Sequence, residues 1–129
     1  MSEYVDNFES LIPLEMLDIL LDLGKEFSFD PTSSIESEEY FKNLIDKYNG
    51  DTSKINEWLR EKIITEFQCV DKRPIWIQNP SWQFANNKPM LFVGQLDCSS
   101  NQTRLHDDAT FYVFWDRNTG ETKAIIQVS

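Results

Sequence analysis

The sequence predicts an α+β fold, with three N-terminal helices packed on a C-terminal antiparallel sheet of about four strands. Residues 8–69 carry apolar side chains at helical spacing, whereas residues 73–128 consist of short β-branched and aromatic runs separated by turn residues. The stretches 109–115 and 122–128 have the pattern of two hairpin arms around a turn rich in Asp, Asn and Gly. At 129 residues the chain has the size of one domain, so we expect residues 1–129 to form a single unit.

The first helix is predicted over residues 11–27, with Ser10 as its cap and Pro13 in its first turn. Apolar residues occupy most of its circumference, so we expect the helix to be mostly buried. The exception is an acidic stripe of four residues spaced three or four positions apart: Glu15, Asp18, Asp22 and Glu26.

Two further helices follow. Ser33 and Glu36 have the spacing of a capping box, and apolar residues then recur at helical spacing up to the stop at Asn49-Gly50. Asp51 or Ser53 is expected to cap the third helix, which should end near position 69.

Strands are predicted from short apolar or alternating runs bounded by turn residues, at 74–78, 90–97, 109–115 and 122–128. The sheet is apolar on both faces and the first helix is strongly apolar, so neither half would be soluble alone. We therefore expect one shared core containing Leu17, Leu20, Trp58, Ile63, Phe92, Val113 and Ile126.

The net charge of -10 is concentrated near the N-terminus. Residues 1–39 contain eleven Asp or Glu and one lysine, Lys25, and the charges of the remaining residues cancel. A field of this sign repels nucleic acid and anionic membranes and attracts basic proteins, so we expect neither of the first two as partners. Two interpretations remain open for the stripe from Glu15 to Glu26: a docking site for a basic partner protein, or a solvated face.

The sequence offers no pattern of catalytic, metal or cofactor residues. Its one histidine, in His106-Asp107-Asp108, falls in a polar loop without further ligands at fixed spacing. No nucleophile elbow or phosphate-binding glycine pattern occurs, and Cys69 and Cys98 lack the spacing of a metal or redox motif. We therefore expect a non-catalytic protein without cofactor or metal, in which both cysteines are reduced thiols.

An alternative function is the binding of a small ligand or peptide in a pocket around residues 76–95. Trp82 lies in a turn-rich stretch, where an aromatic side chain often acts as a lid or anchor, and three glutamines occur late in strands. These glutamines either cross-link strands or converge on a polar pocket. The residues concerned are Trp76, Gln78, Trp82, Gln95 and Gln127.

Three segments resemble the bacterial YwqG-like domains of unknown function. They are a Trp-Ile-Gln-Asn-Pro element within 74–82, a Pro-Met-Leu-Phe-Val-Gly-Gln strand within 88–97, and an aromatic strand leading into a turn at 110–121. The resemblance covers residues 74–128 and implies a bacterial, cytoplasmic protein with no established chemistry.

Small acidic α+β proteins of this kind also resemble immunity proteins, which are encoded beside bacterial toxins. The start of the chain is acidic and lacks the basic region of a secretory leader, and no apolar run approaches the ~20 residues of a membrane span. We therefore expect a cytoplasmic protein.

Overall fold

A computed structural model describes residues 11–99 and 108–128 of the chain. Within these ranges the helices precede the strands, which confirms the predicted α+β class. The helices are α1 (Leu14–Phe27), α2 (Ile35–Asp46) and α3 (Ile55–Glu66), with a short 3₁₀ turn at Thr52–Lys54. The strands are β1 (Phe84–Ala85), β2 (Lys88–Pro89), β3 (Leu91–Cys98), β4 (Ala109–Trp115) and β5 (Thr122–Val128).

The main sheet has three antiparallel strands in the order β3-β4-β5, and β1 and β2 form a separate two-stranded ribbon. The predicted hairpin is confirmed, because β4 and β5 pair in register from Ala109 opposite Val128 to Trp115 opposite Thr122. A register shift between Phe92 and Gly94 marks a β-bulge in β3. The prediction of a strand at 74–78 is wrong: this stretch makes no strand pairing in the described sheets.

The helix ends differ from the predicted ones by small shifts. Pro13 precedes α1 instead of lying in its first turn, and the predicted cap Ser10 lies outside the described residues. Ser34, one residue later than predicted, caps α2 by accepting a hydrogen bond from the Ser37 amide at 3.1 Å. No side chain caps α3 at Lys54, the residue before its first turn.

The C-terminus of α1 closes in a left-handed turn. Ser28 has φ 68°, and its amide and that of Phe29 both donate to the Gly24 carbonyl. A Cβ added at Gly24 would collide with the Phe29 carbonyl oxygen. Glycine is therefore required here by the close approach of the backbone that leaves the helix.

The core is continuous from the helices to one face of the sheet, called here the inner face. Its aromatic centre is Phe67, immediately after α3, which is fully buried and contacts rings from both parts of the chain. Its ring centroid lies 5.7 Å from that of Phe41 in α2 and 5.2 Å from that of Trp82, which in turn contacts Phe114 on β4 at 5.5 Å. These contacts join the helical layer to the sheet.

The predicted core residues divide into three groups. Leu20, Ile63 and Phe92 are buried in the core, and Leu17 and Trp58 pack against it half-buried. Val113 is half-buried and Ile126 is 48% exposed, and both lie on the opposite face of the sheet, so the prediction of these two residues as core residues is wrong. The cause is strand alternation, which places Ile125 and not Ile126 on the inner face.

The turn between β4 and β5 is organised by Asp116. Its carboxylate accepts hydrogen bonds from the Thr119 hydroxyl at 2.7 Å and the Asn118 amide at 3.0 Å, and its backbone carbonyl accepts from the Gly120 amide. These bonds favour the ionised carboxylate and hold the pKa of Asp116 below its ordinary value. The bond from Thr119 makes the largest contribution to this shift. Gly120, at φ 78°, provides the left-handed residue of the turn.

We expect Asp116→Asn to lower the urea midpoint of unfolding at neutral pH and to have progressively less effect in acid. A folded-state pKa below the unfolded value contributes stability above the unfolded value, near ~4, and this contribution is lost as the pH falls through the folded pKa. Urea titrations of both proteins from neutral pH to about pH 2 test this. A difference in midpoint that stays constant over the whole range would contradict a role for the charge.

Candidate functional site

The acidic stripe predicted on the first helix lies on the exposed side of α1. Glu15, Asp18 and Asp22 are all exposed, and in the described part of the chain none of their carboxylates makes an ion pair or a side-chain hydrogen bond. Carboxylates without local partners keep their full charge directed at solvent. They are therefore available to a cationic partner.

Two leucines share this surface, although the sequence predicts a helix that is buried outside the acidic stripe. Leu14 is 79% exposed and Leu21 is 38% exposed. Their positions, together with Asp18 and Asp22, follow the i, i+4, i+7, i+8 spacing of one helical face. We call Leu14, Glu15, Asp18, Leu21 and Asp22 together the acidic face.

Glu26, the fourth residue of the predicted stripe, is exposed but is paired within the chain, so we do not include it in the acidic face. Arg60 of α3 holds it in a two-point ion pair, in which Nη1 donates to Oε1 at 2.7 Å and Nη2 donates to Oε2. The hydrogen bond from Arg60 lowers the pKa of Glu26, and Glu26 raises the pKa of Arg60. The pair joins α1 to α3, and its charges cancel, so Glu26 adds little to the field of the surface.

The surface continues at the N-terminal end of α1. The amide of Leu11 donates to Oε1 of Glu38 in α2 at 2.9 Å, so the start of α1 lies beside the first turns of α2. Leu11 is 46% exposed, and Ile35, one helical turn before Glu38, is 71% exposed. Glu36 and Glu39 are exposed nearby in sequence. This end of the helical layer therefore combines apolar side chains with additional carboxylates.

The three glutamines of the alternative prediction bind backbone groups instead of converging on one pocket. Gln127 is buried; its Oε1 accepts from the amides of Ile77 and Gln78 at 3.0 and 2.9 Å, and its Nε2 donates to the Asn79 carbonyl at 2.9 Å. Gln95 accepts from the Ile75 amide at 2.7 Å. The side-chain amides of Gln95 and Gln127 therefore satisfy backbone groups that a neighbouring strand would otherwise have to bind.

These bonds hold residues 73–79, called here the connecting segment, against the inner face of the sheet. The Tyr112 hydroxyl contributes by donating to the Ile75 carbonyl at 2.9 Å and accepting from the Ile77 amide at 3.0 Å. Gln78 adds a bond from its Nε2 to the Val128 carbonyl. Of the two interpretations of the glutamines, the structure supports cross-linking.

The two tryptophans of that prediction also have structural contacts. Trp82 is 2% exposed and its Nε1 donates to the Met90 carbonyl at 2.9 Å, so its placement as a surface lid is wrong. Trp76 is half-buried; it stacks on Tyr112 at 4.5 Å and donates to the Ser28 carbonyl after α1. Gln78 and Gln127 border one surface depression of about 570 Å³, whereas Trp76 and Gln95 border a different one of about 600 Å³.

The chemistry of the remaining candidates is limited. Both cysteines are free and half-buried, and burial raises the pKa of the Cys69 thiol, which makes it a poor nucleophile at neutral pH. His106 and Asp107 lie outside the described residues, and Asp108 is exposed. Within residues 11–99 and 108–128, no three His, Cys, Asp or Glu side chains are grouped as a metal site would require.

No helix in these ranges combines the length and the apolar character needed to cross a membrane. Comparisons of the chain with protein-family models, with curated proteins and with solved structures found no match.

Proposed function

We propose that this chain is a non-catalytic protein-binding module that docks a basic partner protein through the acidic face of α1. The observation that supports the proposal is the joint exposure of Glu15, Asp18 and Asp22, without ion-pair partners in the described part of the chain, beside Leu14 and Leu21. The two leucines add apolar surface that a partner protein could bury beside the carboxylates.

The two kinds of side chain serve different parts of binding. Carboxylates attract a basic surface over a distance and orient it during the encounter, which raises the association rate. Burial of the leucines then supplies affinity, because removing apolar surface from water is favourable. A helix that presents both on one face follows a common mode of helix recognition, in which side chains at i, i+3, i+4 and i+7 anchor in a groove.

The class of partner that we propose is a basic toxin or nuclease. A protein that acts on nucleic acid needs a basic surface to hold the phosphate backbone. An acidic protein that covers this surface blocks the activity, which is the task of an immunity protein. The net charge of -10 and the acidic face support an immunity-type role of this kind.

We expect the triple substitution of Glu15, Asp18 and Asp22 to Lys to abolish capture of the basic partner at low salt and to slow association at least about tenfold. The test is affinity capture from the native host at low and high salt, followed by measurement of binding kinetics with the purified partner. High salt should weaken the wild-type complex, because charges are screened beyond ~8 Å at physiological ionic strength.

The matched control changes three acids elsewhere, with Glu57, Glu61 and Asp71 replaced by Lys. These residues are exposed, and the substitution alters the net charge by the same amount. If binding depends on the position of the charges and not only on the net charge, the control variant should retain most of the binding. Equal capture by wild type and the α1 variant, or capture of neutral or acidic proteins only, would refute the proposal.

A further inference from the structure

The second face of the main sheet, called here the outer face, is apolar, and several of its large side chains are exposed, although Ala109 on the same face is buried. Strand pairing places Leu96, Phe111 and Ile126 in one row across the three strands, and these side chains are 63%, 37% and 48% exposed. Trp115 and Val128 on the same face are 39% and 38% exposed. An antiparallel sheet commonly presents polar side chains to solvent on such a face.

Charge is absent from the paired residues of this face. The four paired cross-strand rows on this face comprise only apolar residues, Gly, Cys and Thr; they are Cys98-Ala109-Val128, Leu96-Phe111-Ile126, Gly94-Val113-Ala124 and Leu91-Trp115-Thr122. Asp97 and Lys123, the charged residues of the paired strands, both belong to the inner-face rows. A charge-free apolar surface does not repel an identical surface, although the chain as a whole carries -10.

The helices, which carry the acidic face, pack against the inner side of the sheet through Phe67 and Trp82. Two copies joined through their outer faces would therefore keep their helical layers on opposite sides of the dimer. Separation and salt both reduce the repulsion between two acidic layers, because exposed charges further apart than a Debye length are largely screened. The distribution of charge thus permits self-association at this face.

The available area reaches the lower limit for a specific dimer. With side-chain surfaces of roughly 150 to 250 Å², the exposed fractions leave about 500 Å² of apolar surface on each copy. Two such faces stacked at about 10 Å would bury about 1,000 Å², which is the lower limit for specific interfaces. From this area, the row of apolar residues and the absence of charge, we infer that the chain forms a homodimer by face-to-face packing of the outer faces of its sheets.

The dimer has two-fold symmetry, because the same surface is used by both copies. Phe111 lies on the central strand between Leu96 and Ile126. Because both copies contribute the same surface, each of these residues enters the interface twice. An interface of this size belongs with the weak, transient associations. Higher salt strengthens the dimer, whereas it weakens docking of a basic partner to α1, so the two associations respond to salt in opposite directions.

The test is sedimentation equilibrium of the full chain from about 1 µM to about 1 mM at low and high salt. Wild type should pass from monomer to dimer, and Leu96→Lys or Ile126→Lys should weaken the dimer by at least about 100-fold, because each places two charges in an apolar contact. The control is Leu14→Lys, which makes the same type of change at an exposed leucine of α1 and should leave the dimer intact.

Circular dichroism shows whether the variants fold. If they do not, dilution of the wild type followed by NMR replaces them: signals that change with concentration should belong to β3, β4 and β5 residues of the outer face. A wild-type chain that is monomeric at about 1 mM overturns the inference and leaves the face to a different protein. A dimer that both folded lysine variants retain, or whose concentration-dependent signals lie on the helices, overturns it as well.

Discussion

Phe67→Ala should destabilise the protein by about 3–5 kcal/mol, the largest effect that we expect from one substitution. Phe67 is fully buried, and its ring contacts Phe29 at 4.8 Å, Phe41 at 5.7 Å and Trp82 at 5.2 Å. Removing the ring leaves a cavity among Phe29, Phe41 and Trp82. These rings belong to different parts of the chain, so they cannot all move to fill the cavity. Urea unfolding followed by circular dichroism measures the loss.

Two controls test whether the loss of stability is due to the removal of the buried ring. Ile64→Ala changes a residue in the last turn of α3, just before Phe67, that is 51% exposed, and it should alter stability by no more than about 0.5 kcal/mol. Phe67→Leu retains much of the volume and should cost clearly less than the alanine variant. A loss below about 1 kcal/mol for Phe67→Ala would show that this ring is not the junction between helices and sheet.

The order of helices and strands and the hairpin could be predicted because the signals are local. Apolar spacing of 3.6 or 2 residues and the turn chemistry around Asp116 and Gly120 act within a few positions of the chain. Local signals do not show which face of each strand in this sheet is buried. Apolar residues occupy both faces of β4 and β5, so alternation could not show whether Ile125 or Ile126 points to the core.

Contacts between distant residues account for the other differences. Glu26 and Arg60 are 34 positions apart, and helical spacing could identify Glu26 as exposed but could not reveal its partner. The stretch 74–78 has the composition of a strand, but its amides are bonded by Gln95, Tyr112 and Gln127, which come from three different strands. For the acidic face, helical periodicity predicted that the carboxylates lie on one side of α1, but it did not predict that Leu14 and Leu21 are exposed.

Gln127→Ala should release part of the connecting segment and lower stability by about 1–3 kcal/mol. The amide of Gln78 is bonded to Oε1 of Gln127, so its hydrogen exchange should accelerate by at least about tenfold when that acceptor is removed. The amide of Ile77 also reaches the Tyr112 hydroxyl, so it should keep part of its protection. Residue-resolved hydrogen exchange by NMR measures both.

Three further variants make the expected pattern specific. Adding Tyr112→Phe to Gln127→Ala should expose Ile77, because both of its acceptors are then gone. Gln95→Ala should accelerate exchange at Ile75 without affecting Gln78, since the Ile75 amide is bonded to Gln95 alone of the three side chains. Gln78→Ala, which removes one bond to the Val128 carbonyl, should leave all three amides protected.

If Gln127→Ala left the Gln78 amide as protected as in wild type, side-chain anchoring of the connecting segment would be refuted, and backbone pairing at 74–78 would have to be reconsidered.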